Sequence, residues 1–149
     1  MPTRPLTEPD FETLAHFRHQ LRRFLHASEE LTQAHGCTPA QYQLLLQLRG
    51  YPGRRWASVG ELAQRLQARH HGVGALVTRC ELAGWVERRA SQEDQRVVEV
   101  HLTRKGRALI DKLAALHHEE LRSIRSGFAV PGITPATRPA TPPTKEIRS

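Results

Sequence analysis

The sequence predicts a mainly α-helical fold that carries one small β-hairpin. Three observations predict it. Apolar residues recur every three or four positions over most of the stretch from Phe11 to Cys80 and again from Leu109 to Phe128, the spacing of amphipathic helices. Two segments, Thr38-Pro39-Ala40-Gln41 and Ser58-Val59-Gly60-Glu61, have the form of a capping box, in which a hydroxyl and a side chain three residues on each accept the other's free backbone N–H. Between Trp85 and Leu102 the period changes to two, as a pair of strands requires.

Taken in order, Phe11, Leu14, Phe17, Leu21, Phe24 and Leu31 form one stripe of a long first helix ending near Ala34. Thr7, followed by Pro9 and Asp10, starts it, and His35-Gly36 stops it. The first capping box opens a buried second helix through Tyr42, Leu44, Leu45, Leu46 and Leu48, and Gly50-Tyr51-Pro52-Gly53 is a turn. The second box starts a short helix with Leu62, Ala63 and Leu66. After a break near Gln67-Ala68, a further helix runs from Arg69 to Ala83, with Val73, Leu76, Val77 and Cys80 inward and Gly84 as its left-handed stop. A strand over Trp85–Arg89, a polar turn over Ala90–Gln95 and a strand through Val98, Val100 and Leu102 complete the hairpin. Thr103 caps the last long helix, striped by Leu109, Leu113, Leu116, Leu121, Ile124 and Phe128. Residues 1–130 thus read as one domain, a lobe over 54–102 flanked by long helices over 10–35 and 103–128. Residues 131–149, with five prolines and four threonines, read as a disordered tail.

Composition sharpens this picture. An apolar share of 38% in 149 residues is low, as expected where a tail is unpacked or a partner completes the core. Apolar runs such as Leu113–Leu116 fall far short of the roughly 20 residues a membrane helix needs. Met1 to Asp10 has three prolines and no hydrophobic stretch, unlike a secretory signal, and two cysteines suit a reducing, cytoplasmic setting. The net charge of +7 is localised: residues 54–107 hold 11 basic and 6 acidic side chains, whereas residues 1–53 hold 5 of each and residues 108–130 hold 3 of each. A central basic segment is the footprint of a polyanion-binding surface. An arginine-rich chain also arises from genomic base composition, so charge alone does not decide.

A short helix followed within a few residues by a second is the helix-turn-helix arrangement, and the hairpin after it makes the lobe a winged one. The second helix would present Arg69, His70, His71, Gly72, Ala75, Thr78 and Arg79 opposite its packed face, where such motifs meet base edges in the major groove. Arg88, Arg89 and Arg96 at the hairpin suit phosphate and minor-groove contacts.

Four segments carry a family likeness: Glu61-Leu62-Ala63; Leu82-Ala83-Gly84-Trp85-Val86-Glu87-Arg88-Arg89; Asp94-Gln95-Arg96; and Leu102-Thr103-Arg104-Lys105-Gly106. In their order and spacing they resemble the multiple antibiotic resistance regulator (MarR) family, over roughly residues 10–128. The resemblance implies a homodimer whose first and last helices interlock and whose two winged lobes read a pseudo-palindromic stretch of double-stranded DNA. It implies that Arg96 enters the minor groove at the wing tip and that Asp94 holds the wing by hydrogen bonding or pairing with a nearby arginine. It also implies a repressor relieved by a small aromatic or phenolic effector, to which His16, His19, Arg23, Tyr42 and Arg49 would offer polar contacts. The sequence departs from the pattern in three places. Gln95 stands where a second arginine is frequent. Gly72 and Gly74 interrupt the reading helix, either for close approach to DNA or as a loose helix start. His70-His71 replace a Ser/Thr-rich opening, so no relative's operator can be carried over.

Other chemistries have weaker support. His117, His118, Glu119, Glu120, Glu30, His35 and Cys37 are metal-ligand types, but adjacent helical histidines diverge by about 100°. The zinc-sensing relatives also use the start of the second helix, where this chain has Tyr42 and Gln43, so solvated histidines and no bound metal are expected. Cys37 precedes a helix N-terminus, where the dipole favours thiolate, yet peroxide-sensing relatives place their cysteine at the start of the first helix; a half-buried, inert Cys37 and a core Cys80 are expected. Trp56 and Trp85 read as packing residues of the lobe. No nucleophile–base set, phosphate-cradling loop or catalytic carboxylate pair is evident, which argues against an enzyme and against a cofactor. The remaining rival is a winged-helix module that binds protein, which leaves the arginine concentration unexplained. A redox- or metal-responsive member of the same family is the other alternative.

Overall fold

The computed structural model describes residues 4–124, as α1 (Glu8–Ala34), α2 (Pro39–Arg49), β1 (Trp56–Ser58), α3 (Val59–Leu66), α4 (His70–Leu82), β2 (Val86–Ala90), β3 (Val98–Leu102) and α5 (Arg104–Ile124). The tail expected over 131–149, and Phe128 of the last helical stripe, lie outside the described residues.

Three strands make the sheet, one more than the expected hairpin. β3 pairs antiparallel with β2, Val86 opposite Leu102 and Ala90 opposite Val98, and also with β1, Ala57 opposite Val100, giving the order β1-β3-β2. In the sequence β1 presents only as the approach to a helix cap. Three residues cannot display an alternation, and Ala57, its fully buried member, is too small to announce a core position.

Both capping boxes form. The Thr38 hydroxyl accepts from the Gln41 N–H at 3.1 Å while the Gln41 side chain accepts from the Thr38 N–H at 2.9 Å. Ser58 and Glu61 do the same at 3.2 and 3.0 Å. α1 begins three residues before Phe11, because the Thr7 N–H and hydroxyl both donate to Asp10, at 2.8 and 2.9 Å. The core lies between α2, α3, α4, the sheet and α5: Leu44, Leu45, Leu62, Val73, Val77, Val86, Val100, Ile110 and Leu113 are all fully buried. Each such side chain contributes about 1.5–3 kcal/mol relative to exposure.

The first helix departs from expectation. Its buried residues are polar (Gln20, Ser28 and Thr32), whereas Phe11 and Leu14 of the apolar stripe are 53% and 42% exposed and Phe17, Leu21, Phe24 and Leu31 are half-buried. The stripe is therefore not the face that α1 turns to its own chain. Ser28 meets α5 at His117, whose Nε2 lies 2.7 Å from the Ser28 hydroxyl and whose Nδ1 donates to the Leu113 carbonyl at 2.7 Å. That ring also stacks on Tyr42 of α2, with centroids 4.1 Å apart. His117 is thus buried rather than solvated, a correction that follows from a contact 89 residues distant in the chain. His118, a third of a turn round, is exposed as expected.

The join between α4, β2 and α5 is the tightest point of the fold. Gly84 (φ +82°) ends α4 with its N–H donating to the Glu81 carbonyl and the Trp85 N–H to the Cys80 carbonyl, each at 3.0 Å, a Schellman arrangement. α5 starts directly on this turn. The Thr103 N–H donates to the Trp85 carbonyl at 3.0 Å, the Thr103 hydroxyl to the Gly84 carbonyl at 2.6 Å, and Lys105 Nζ to the Ala83 carbonyl at 3.2 Å. Gly106 is required here: a Cβ on it would lie 1.9 Å from the Trp85 carbonyl oxygen. Replacing Gly106 by Ala is expected to cost about 2–3 kcal/mol of stability, read as a lowered urea midpoint, because backbone on both sides must move. An unchanged midpoint would show that the join yields freely.

Candidate nucleic-acid interface

α3 and α4 form the helix-turn-helix. The turn needs a left-handed residue, supplied by Gln67 (φ +52°), and the Ala68 N–H closes back on the Ala63 carbonyl at 3.0 Å. α4 then buries Val73, Leu76, Val77 and Cys80, which exposes His70, His71, Gly72, Ala75, Thr78 and Arg79 together on the opposite face. Arg69 is exposed at the N-cap, so the helix begins one residue later than the spacing predicts. Side chains at Gly72 and Gly74 would meet nothing within 4 Å, so no contact inside the protein demands either glycine.

The wing is held by short-range bonds. Asp94 accepts from the Arg96 backbone N–H at 3.0 Å and from its Nε at 3.4 Å, and the Ser91 hydroxyl accepts from the N–H groups of Glu93 and Asp94. The arginine that Asp94 pairs with is Arg96 itself, whose side chain remains 93% exposed at the tip.

The two other wing arginines part company. Successive residues of a strand face opposite sides of the sheet. Arg88 lies opposite buried Val100 and turns to α4, bonding Glu81 at 2.9 Å, the Gly74 carbonyl at 3.0 Å and the Thr78 hydroxyl at 3.2 Å. It braces the wing to the reading helix. Arg89 turns to the far side of the sheet and pairs with Glu87.

Between the starts of α3 and α4 and the wing runs a groove of about 420 Å³ lined by Ser58, Val59, Gly60, His70, Arg88 and Arg96, with Val97 and Val98. The first turn of α3 therefore lines the same groove as three of the predicted contact residues. Ser58, Val59 and Gly60 were not among those residues. The capping box is the signal that could have found them, since it marks a helix N-terminus with unpaired donors.

The loop leading into α3 is pinned by Glu61. Its carboxylate accepts from the Tyr51 hydroxyl at 2.5 Å and pairs with Arg54, whose guanidinium lies 3.8 Å over the Trp56 ring. Burial pushes the Glu61 carboxyl up, but the bonds from Tyr51, Ser58 and Arg54 outweigh it and hold the group at about 2.

Cys80 lies in the core as expected, whereas Cys37 is more deeply buried than the half-buried position expected of it. Cys37 is fully buried, donates to the Thr38 carbonyl and is pushed up by burial to about 11, so the dipole does not yield a thiolate. Burial likewise raises Cys80 to about 12 in the core. His19 and Arg23 line a crevice of about 350 Å³ against α5, Arg49 sits at the far end of α2, Tyr42 is buried on His117, and His16 is exposed elsewhere on α1. His19 and Arg23 thus share one crevice, and Arg49 lines another recess. Among the described residues, no group of three or more His, Cys, Asp or Glu is arranged to hold a metal ion. No described helix is long and apolar enough to cross a membrane.

A model of the MarR family matches residues 35–97, from the end of α1 to the wing. Among solved structures, the chain is similar to AbsC, a MarR family transcriptional regulator from Streptomyces coelicolor, with 25% identity, 87% of this chain and 86% of that one covered, and a TM-score of 0.72. A MarR family protein from Bacillus stearothermophilus shares the fold at 23% identity, 84% and 86% coverage and a TM-score of 0.69. So does an S. aureus MepR mutant bound to an oligodeoxyribonucleotide, at 19% identity, 82% and 84% coverage and a TM-score of 0.64. No curated protein sequence matches significantly.

The Glu61 network has a testable pH dependence. A carboxyl lowered from 4.5 to about 2 in the folded state stabilises fully above 4.5, and that stability is lost as pH falls through about 2. Urea midpoints measured from pH 6 to pH 2 should fall less steeply for Glu61→Gln than for the parent; parallel profiles would remove Glu61 from the acid response.

Proposed function

We propose that the chain is a winged-helix transcription regulator of the MarR family, a homodimer that binds a pseudo-palindromic operator and represses transcription by occluding a promoter. Proteins of this family are regulators, not enzymes. The observation that carries the reading is the groove joining the start of α3, His70 and Arg96 beside the exposed face of α4. Phosphates would lie along the free N–H groups of α3, α4 would enter the major groove, and Arg96 would reach the neighbouring minor groove. The oligodeoxyribonucleotide bound to the MepR mutant supports this assignment by analogy of fold.

The apolar surface that one chain leaves open supports dimerisation. Leu6, Phe11, Leu14, Leu25 and Leu121 are exposed on or beside α1 and α5. A second copy covering that stripe would place two α4 helices about 34 Å apart, one turn of duplex. A small aromatic or phenolic effector that favours a different spacing of the lobes would release the DNA. The α1–α5 crevice with His19 and Arg23 is the place to seek its contacts, completed by the second chain.

Arg96→Ala should weaken binding to the promoter fragment beside its own gene by about 1–3 kcal/mol, with the parent's affinity falling steeply as salt rises, both read by fluorescence anisotropy. Unchanged affinity would take the wing out of the contact. Phe11→Glu should turn a sedimenting dimer into a monomer that keeps its helical circular dichroism. A dimer that survives the change would place the interface elsewhere.

A further inference from the structure

Where the end of α2, the loop into β1 and the start of α5 meet the sheet, a cleft of about 260 Å³ is lined by Arg49, Arg54, Arg55, Arg89, Arg107 and His101. Three of the arginines are already paired, Arg49 with Asp111 at 2.7 Å, Arg54 with Glu61 and Arg89 with Glu87, and His101 bonds Glu99 at 2.9 Å. The Arg55 and Arg107 side chains have no ion-pair or hydrogen-bond partner among the described residues. Two uncompensated guanidinium groups therefore converge on a recess whose remaining walls are also cationic. Arg54 adds a buried Nε with no hydrogen-bond partner.

We propose that this cleft is a binding site for a compact small-molecule dianion, a phosphate monoester or a dicarboxylate, held by Arg55 and Arg107 with Arg49 and Arg89 beside them. Guanidinium forks match the paired oxygens of phosphate and carboxylate. Arg55 and Arg107 need two negative charges to balance them, and only Leu48 and Leu102 offer apolar surface, which disfavours a bulky aromatic acid. The volume lies below the usual 300–1,000 Å³ of pockets for larger ligands.

DNA phosphate is the other source of the same chemistry, and the geometry disfavours it. The cleft takes Arg89 and His101 from the sheet face opposite Arg88 and α4. It also lies at the Leu102 end of β3, whereas Val98 lines the groove beside Arg96; four residues of strand set the two about 13 Å apart. A duplex seated on α4 and the wing tip would leave the cleft open.

Calorimetric titration of the full chain at constant ionic strength, with inorganic phosphate, succinate and acetate as probes, tests the proposal. Saturable binding of phosphate or succinate at one per chain is expected, with acetate at least about tenfold weaker. The double variant Arg55→Ala, Arg107→Ala should lose about tenfold or more in dianion affinity. Both side chains are exposed, so the variant should keep the parent's melting temperature and, in the anisotropy assay, its affinity for DNA. Three results would overturn the proposal: no saturable dianion binding by the parent, binding indifferent to the double substitution, or a loss of DNA affinity in the double variant as large as that of Arg96→Ala. The last would make the cleft a DNA contact and would leave the regulator assignment intact.

Discussion

The architecture depends on one close approach of backbone to backbone, where the first turn of α5 lies against the turn that ends α4. Gly106 has no room for a methyl group beside the Trp85 carbonyl, and Thr103 bonds that turn through both its N–H and its hydroxyl. Because α5 is long and rigid, the angle fixed there is carried along its length to Leu113 and His117. The helix that packs with α1 is thereby aimed from the helix that faces the groove. This explains in physical terms why Leu-Ala-Gly-Trp and Leu-Thr-Arg-Lys-Gly occur together: the two motifs are the two halves of one contact.

The helices were legible because each is announced locally. Capping boxes at Thr38 and Ser58, the stop at Gly84 and the three-to-four spacing of leucines are all read within a few residues. What the sequence did not disclose depends on distant partners. β1 exists because Val100 lies 43 positions beyond Ala57 and offers it an edge. His117 is buried because Ser28 and Tyr42 meet it, and nothing near His117 in the chain says so. Within the candidate interface, the exposed face of α4 and the Asp94–Arg96 bond were readable from periodicity and motif. The separation of Arg88 from Arg89 was readable in principle, since neighbours on a strand must diverge, but the attraction of two adjacent arginines to one polyanion obscured it.

α1 inverts the ordinary relation between pattern and burial. Its polar residues Gln20, Ser28 and Thr32 face its own chain, while its aromatic and aliphatic stripe is left partly or largely in solvent. A helix selected only for packing within one chain would show the reverse. The core itself draws on α2, α3, α4, the sheet and α5, while α1 adds only polar residues to what is buried within the chain.

Arg88 has a mechanical consequence. Its three bonds to Glu81, Gly74 and Thr78 span from the hairpin to both the middle and the end of α4. The hairpin and that helix are thereby coupled like the jaws of a gauge, since opening one against the other breaks those bonds. Whatever object they grip must present its two recesses at a set separation, so a deformable object is measured by its willingness to adopt that spacing as much as by the groups it displays.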